Sequence, residues 1–264
     1  MSKNVFVPAE ACSKLWRAII EFDMLQPGDR ILVGLSGGKD SMLLTAMLAE
    51  IRKYSPIPFD LACYTVNTMF DDRFPKQELV EFCSRFGVEH YHDDVDIASK
   101  QRKADRTMCY TCAFFRRGAT NRRAAELGFN KVALAHHNDD AVETFFMNIM
   151  TTGQLRTFLP VTHLSRAGVT VLRPLLYYRE REIEELVQQL DIHPLKNPCP
   201  YDGHTMRQDV KEHIAELEQR YPGVYDHLAA AMRFDEKREL WPDRRTSKEL
   251  LPKFRAFWGK KEEK

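Results

Sequence analysis

Short apolar runs alternate with longer amphipathic stretches along most of the chain, and turn residues separate them. Residues 10–24 have a helical period, Pro27-Gly28-Asp29 is a turn signal, and Ile31-Leu32-Val33-Gly34-Leu35 is a buried-strand run. Residues 41–54 continue as a helix that Ser55-Pro56-Ile57-Pro58 ends. The pattern then predicts a strand from Phe59 to Val66, a helix from Pro75 to Phe86 stopped by Gly87, and a strand from Val88 to His92. Residues 93–108 are polar and basic, with Lys100, Arg102, Lys103 and Arg106 but no period, and read as a loop. Beyond it come a helix from Ala113 to Leu127 closed by Gly128, a strand from Lys131 to His136, a helix from Asp139 to Met150 and a strand from Val169 to Leu172. Repeated strand–helix units of this kind predict an α/β fold with a doubly wound, parallel, five-stranded sheet. After Tyr177 the pattern is helical (Arg179–Leu190, Arg207–Arg220, Tyr225–Arg233), a C-terminal helical extension. Asp235 to Lys264 reads as a charged, partly ordered peripheral tail. The expected division is an N-terminal helix at 1–26, a nucleotide-binding α/β domain at 27–176 and a helical region at 177–264.

One turn in this pattern carries chemistry. Ser36-Gly37-Gly38-Lys39-Asp40-Ser41 lies between the first buried strand and the helix opening Met42-Leu43-Leu44. Two glycines let the main chain approach an anion, and the first N–H groups of a helix point at it with the positive end of the dipole. The spacing is not that of a Walker A loop, because the glycines precede the lysine and an acid follows it. A second signal follows the fourth strand: His137, Asn138, Asp139 and Asp140, with Glu143 one turn further. In doubly wound sheets ligands sit beyond the carboxyl ends of the strands, where both segments fall. Carboxylates there suit Mg2+, or would position an acceptor, with Asp40 and Asp139 as the candidates. Asp139 would also serve as an ordinary helix cap. His136 reads as structural and inward-facing.

With 264 residues, 44% hydrophobic and 29% charged, the chain can bury a full core. No apolar stretch approaches a membrane span and the start lacks signal-peptide architecture, so a cytoplasmic protein without a membrane partner is expected. A net charge of +1 leaves any nucleic acid to be held by local basic patches such as Arg116-Arg117 and Arg122-Arg123. Those arginines are equally compatible with a solvated helix face. Of the six cysteines, Cys12, Cys63 and Cys83 fall on apolar faces and read as core. Cys109-Tyr110-Thr111-Cys112 opens a helix, where thiol pKa is lowered, and Cys199 lies between Pro198 and Pro200. Three thiolates would fit an iron–sulfur cube with one open iron. A zinc site completed by histidine, a redox pair and unrelated thiols remain alternatives.

Taken together, these segments resemble the tRNA 2-thiocytidine synthetase family, a branch of the PP-loop ATP pyrophosphatases. The likeness runs from Trp16 to Met232. Its features are Gly28-Asp29-Arg30 leading into Ser36–Ser41, Cys109-x-x-Cys112 before Arg116-Arg117-Gly118, Glu126-Leu127-Gly128, His136-His137-x-Asp139-Asp140, Arg173-Pro174-Leu175 with Arg179-Glu180, Cys199, Arg207-Gln208 and Arg220-Tyr221-Pro222-Gly223. The resemblance implies adenylation of the 2-oxo group of cytidine 32 of tRNA with ATP and Mg2+. Sulfur then replaces that oxygen with the help of a 4Fe–4S cluster on Cys109, Cys112 and Cys199. It further implies a sulfide or cysteine desulfurase-derived persulfide as sulfur donor, and a homodimer. The Cys199 loop holds a single cysteine, which leaves His204 as another candidate ligand. A tRNA lysidine synthetase shares the loop, the His-His-x-Asp-Asp stretch and Arg-Pro-Leu but needs no thiols. A non-catalytic nucleotide- or zinc-binding module is the rival from another class.

Overall fold

The computed structural model describes residues 7–70, 74–97, 108–195, 206–233 and 246–259. Its elements are α1 (Ser13–Glu21), β1 (Arg30–Gly34), α2 (Lys39–Ile51), β2 (Asp60–Asn67), α3 (Lys76–Arg85), β3 (Glu89–Asp94), α4 (Met108–Glu126), β4 (Lys131–Ala133), α5 (Asn138–Thr152), β5 (Val161–Leu164), β6 (Val169–Leu172), α6 (Glu180–Gln189), α7 (Met206–Arg220), α8 (Val224–Ala231) and α9 (Ser247–Gly259). Two compact units divide at Met232 and Arg233. In the second, α9 is started by Thr246 and Glu249: the Glu249 carboxylate accepts from the Thr246 N–H at 2.7 Å, and the Glu249 N–H donates to the Thr246 hydroxyl at 3.4 Å. That reciprocal cap makes part of the expected tail helical.

The sheet of the first unit has the order β3-β2-β1-β4-β6-β5. Strands β1 to β4 and β6 pair in parallel, as expected, and β5 adds a sixth, antiparallel edge strand with Thr162 opposite Val171 and His163 opposite Thr170. The pattern misses β5 because four residues containing Thr162 and His163 give too short and too polar a signal, while their partner β6 is buried. Alternation along each inner strand feeds two cores. Ile31, Val33, Leu61 and Cys63 join α1, α2, α3 and α6 on one face, whereas Leu32, Ala62, Tyr64 and Val132 meet Ala124 of α4 on the other. Every residue of α2 from Ser41 to Ile51 is buried, so its phosphate-side end is fixed by a fully packed helix. Cys12, Cys63 and Cys83 are all buried, matching their core assignment.

Two boundaries move. Helix α4 begins at Met108 rather than near Ala113, so Cys109 and Cys112 lie within its first turns instead of before it. Strand β4 stops at Ala133, and His137 caps α5. A third core of Val142, Val210, Ile214 and Tyr225 fastens α7 and α8 onto α5. The order of the strands reverses direction at β1 and β4, which makes the gap between their carboxyl ends the topological switch point.

Candidate active site

The phosphate loop leaves β1 through Leu35 and enters α2 at Lys39. Gly37 has φ +83°, and a Cβ there would sit 3.3 Å from the Leu195 Cβ, so only glycine fits without displacement. The Leu195 N–H donates to the Gly37 carbonyl at 2.8 Å, which ties the residue 195 segment to the loop. Inside the turn, the Ser36 N–H donates to the Ser41 hydroxyl at 3.1 Å, and that hydroxyl donates to the Gly38 carbonyl at 3.0 Å. Gly38 is the N-cap of α2 and offers no side chain to its first N–H groups, which therefore face the switch point as an anion cradle.

Charge around the loop is strongly paired. Lys39 Nζ lies 3.0 Å from Glu180 Oε1, and the other Glu180 oxygen meets Lys211 Nζ. Burial alone would raise the Glu180 pKa, but hydrogen bonds from Lys211 and Lys39 overcome it and hold the carboxyl at about 2. Burial works against the Lys39 charge as well, yet Asp40 and Glu180 raise its pKa above the ordinary value. Asp40 behaves differently. Burial raises its pKa, aided by Asp140 and opposed by Lys39 and His137. Its Oδ1 is buried without a hydrogen-bond partner, at 3.5 Å from Lys39 Nζ and 3.9 Å from His137 Nε2.

The carboxylates of α5 are engaged. Asp139 accepts from Arg179 Nε at 3.2 Å and from the Glu180 N–H at 2.7 Å, so it ties α5 to the start of α6. The Arg179 guanidinium also lies over Tyr225, 3.2 Å from the ring centroid, and the Tyr225 hydroxyl donates to Asn138 at 2.8 Å. Asp140 accepts from the His137 N–H at 3.0 Å, while its other oxygen accepts from Arg207 at 2.8 Å. Arg207 also reaches Glu143 at 3.3 Å. Burial pushes Glu143 up to about 7, Arg207 opposing and Asp140 adding to it.

Facing the loop is α4. Cys112 is half-buried, and Arg116, one turn later on the same helix face, lines a cavity of about 180 Å³ together with Ser36, Gly38 and Leu195. Arg116 also borders a cavity of about 720 Å³ between α4 and the sheet, walled by Gly34, Leu35, His136 and Arg173. The side chain of Cys109, all of Cys199 and His204, and the basic segment 100–106 lie outside the described residues.

Residues 11–218 match the family model of the PP-loop domain. A tRNA-cytidine(32) 2-sulfurtransferase of Ralstonia pickettii is 34% identical over 84% of this chain and 71% of its own length. One of Dichelobacter nodosus is 36% identical over 84% of this chain and 85% of its own. The chain belongs to the PP-loop family of tRNA-cytidine(32) 2-sulfurtransferases. Among solved structures, a U34-tRNA thiolase from Methanococcus maripaludis, described with its 4Fe–4S cluster, shares the fold at a TM-score of 0.71 and 23% identity, over 88% of this chain and 80% of that one.

Some site residues escape sequence reasoning. Glu180 holds the loop lysine and is itself paired with Lys211, and Leu195 seats the loop glycine. None has a local signature, because the pairs Lys39–Glu180 and Gly37–Leu195 are made by topology. His136, expected to be structural, lines the larger cavity with its ring 5.0 Å from that of Phe158, and burial lowers its pKa to about 4.

Proposed function

We propose that the chain activates a cytidine of tRNA with ATP and exchanges its 2-oxo oxygen for sulfur, the activity named for its relatives. A ring carbonyl oxygen is a poor leaving group. Attack of that oxygen on the α-phosphate of ATP releases pyrophosphate and leaves a phosphate ester. The oxygen then departs with AMP as sulfur bonds to C2.

Gly37, Gly38 and Ser41 would cradle the triphosphate, and Lys39 would neutralise it once phosphate oxygens compete with Glu180. The orphaned Asp40 oxygen fits Mg2+, a cation that takes oxygen ligands and shields phosphate charge. Asp139 is engaged by Arg179 and the start of α6, which favours a positioning role for it, and Asp140 and His137 form the cap beside it. Cys109 and Cys112 are three positions apart at a helix start, a donor set suited to an iron–sulfur cluster, and Cys199 follows Leu195 by four positions. When bound, such a cluster would supply an iron free of protein ligands at which sulfide is held. Family membership supports the remainder of the reading: a sulfide or persulfide donor, a homodimer and a cytoplasmic setting.

One observation carries this proposal. The uncapped start of α2 and Arg116, one helical turn after Cys112 on α4, border the same cavity at the switch point. The test is anaerobic purification with iron and sulfide analysis, followed by incubation with unmodified tRNA, ATP, Mg2+ and sulfide. Nucleoside mass spectrometry should show 2-thiocytidine with release of AMP and pyrophosphate. Cys112→Ala should lose the product while keeping ATP binding. A colourless protein carrying stoichiometric zinc and forming no thiolated nucleoside would overturn the reading.

A further inference from the structure

Helix α4 is packed on one side along its length and open on the other over its first half. Thr111, Ala119, Thr120 and Ala124 are buried and Phe115 is half-buried, but Ala113, Phe114, Arg116, Arg117 and Gly118 are exposed. A helix covering a sheet ordinarily presents a continuous apolar stripe to it. Here the exposed side of α4 and the nearby sheet residues Tyr64, Val132 and Val171 line a cavity of about 720 Å³ instead. The floor is apolar and the rim is cationic. Arg116, Arg117 and Arg173 have no carboxylate partner among the described residues, and Arg173 Nε is buried without a hydrogen-bond partner. Burial, with the nearby Arg117 charge, lowers the Arg173 pKa to about 10, as expected of cations that lack a counter-ion. Phe114, 56% exposed, lines the cavity, and Tyr110, 48% exposed, lies one turn before it on α4.

An apolar slot with uncompensated guanidinium groups and an aromatic ring suits an unstacked base with its attached phosphates. A nucleotide seated in the phosphate loop has its own neighbouring space, the smaller cavity walled by Ser36, Gly38 and Thr65 to Thr68. Arg116 borders both spaces, so a base in the larger cavity lies next to the phosphates in the smaller.

We infer that the cavity between α4 and the sheet is the receiving site for the target nucleobase, splayed out of a single-stranded RNA loop, with Phe114 stacking on it and Arg117 and Arg173 holding its flanking phosphates. This rests on the function proposed above and adds where the RNA enters and which residues select an unpaired base. Phe114 and Arg117 are exposed and belong to none of the three packed cores, which their replacement leaves intact.

The experiment measures anisotropy of a labelled anticodon stem-loop RNA on the full chain, with a second stem-loop carrying an abasic site at the target position. Phe114→Ala should weaken binding of the intact RNA about tenfold, in line with the loss of one stacked base. The abasic site should weaken the wild type by a similar factor, and combining the two should cost no more than either alone. Arg117→Ala should lower the salt dependence of RNA binding by about one unit of slope. Affinity for a fluorescent ATP analogue should stay unchanged in both variants. Equal losses by Phe114→Ala on intact and abasic RNA would overturn the inference. So would a lowered melting temperature without a change in RNA affinity, which would mean that the cavity is closed by the chain itself. A wild-type protein that makes no 2-thiocytidine defeats the proposed function. One that makes it while Phe114→Ala binds RNA normally defeats only this inference.

Discussion

The two walls of the switch point are built on opposite terms. On the phosphate-loop side nearly every charge has a partner: Lys39 with Glu180, Glu180 with Lys211, Asp139 with Arg179, Asp140 and Glu143 with Arg207. On the α4 side Arg116, Arg117 and Arg173 have no carboxylate among the described residues, and aromatic surface stands open beside a large cavity. A preorganised, internally satisfied wall suits a ligand that is always the same, such as a triphosphate. A wall with unspent charge and exposed rings suits a large partner that brings its own anions. The difference separates the residues that set geometry from those that meet a macromolecule.

The phosphate-loop wall is most vulnerable at Gly37. A Cβ there meets Leu195 at 3.3 Å on a backbone of φ +83°, so Gly37→Ala should displace the loop. ATP-dependent pyrophosphate release should fall by about a hundredfold or more. Near-normal turnover would mean that the triphosphate is held elsewhere.

Arg179→Ala comes next. It removes the arginine from Asp139, which keeps the Glu180 N–H and the nearby His137 and Tyr225, and removes the cation over Tyr225. Urea unfolding should show a loss of about 2 kcal/mol, less than for a fully buried pair because the arginine side chain is 30% exposed. An unchanged midpoint would show the bracing to be unimportant.

The smallest effects are in pH dependence, and they differ in sign. Glu180, held at about 2 against an ordinary 4.5, stabilises the fold above pH 4.5, and that contribution is lost as pH falls toward 2. Glu143, raised to about 7, remains protonated in the fold while the unfolded chain ionises above 4.5, so stability declines as pH rises through that window. Glu180→Gln should therefore flatten the acid limb of a urea-midpoint profile, and Glu143→Gln the limb between about 4.5 and 7. Identical profiles for the two variants would contradict the pairing that distinguishes them.

Legibility in the sequence followed the range of the interactions. The loop Ser36–Ser41, the five parallel strands β1 to β4 and β6, and the core cysteines were readable because each depends on neighbours a few residues apart. Thr246-x-x-Glu249 was an available helix-start signal in the C-terminal segment. Strand β5 was not readable, since an edge strand of four residues is specified by its partner rather than by its own alternation. The start of α4 was displaced because the polar, basic residues before Ala113 show no apolar period.

By itself, then, the order of residues determined the period-2 and period-3.6 burial patterns, and from them the α/β class, the anion-cradling turn and the Cys-x-x-Cys pair, all consequences of local backbone geometry. Only the tertiary structure decided which charges cancel. Lys39 meets Glu180 and Asp139 meets Arg179 because the sheet order brings α2, α5 and α6 to one edge, whereas on α4 Arg122 and Arg123 find carboxylates and Arg116 and Arg117 have none among the described residues. Electrostatic partners are chosen by distance in space, and the folding of the sheet sets that distance.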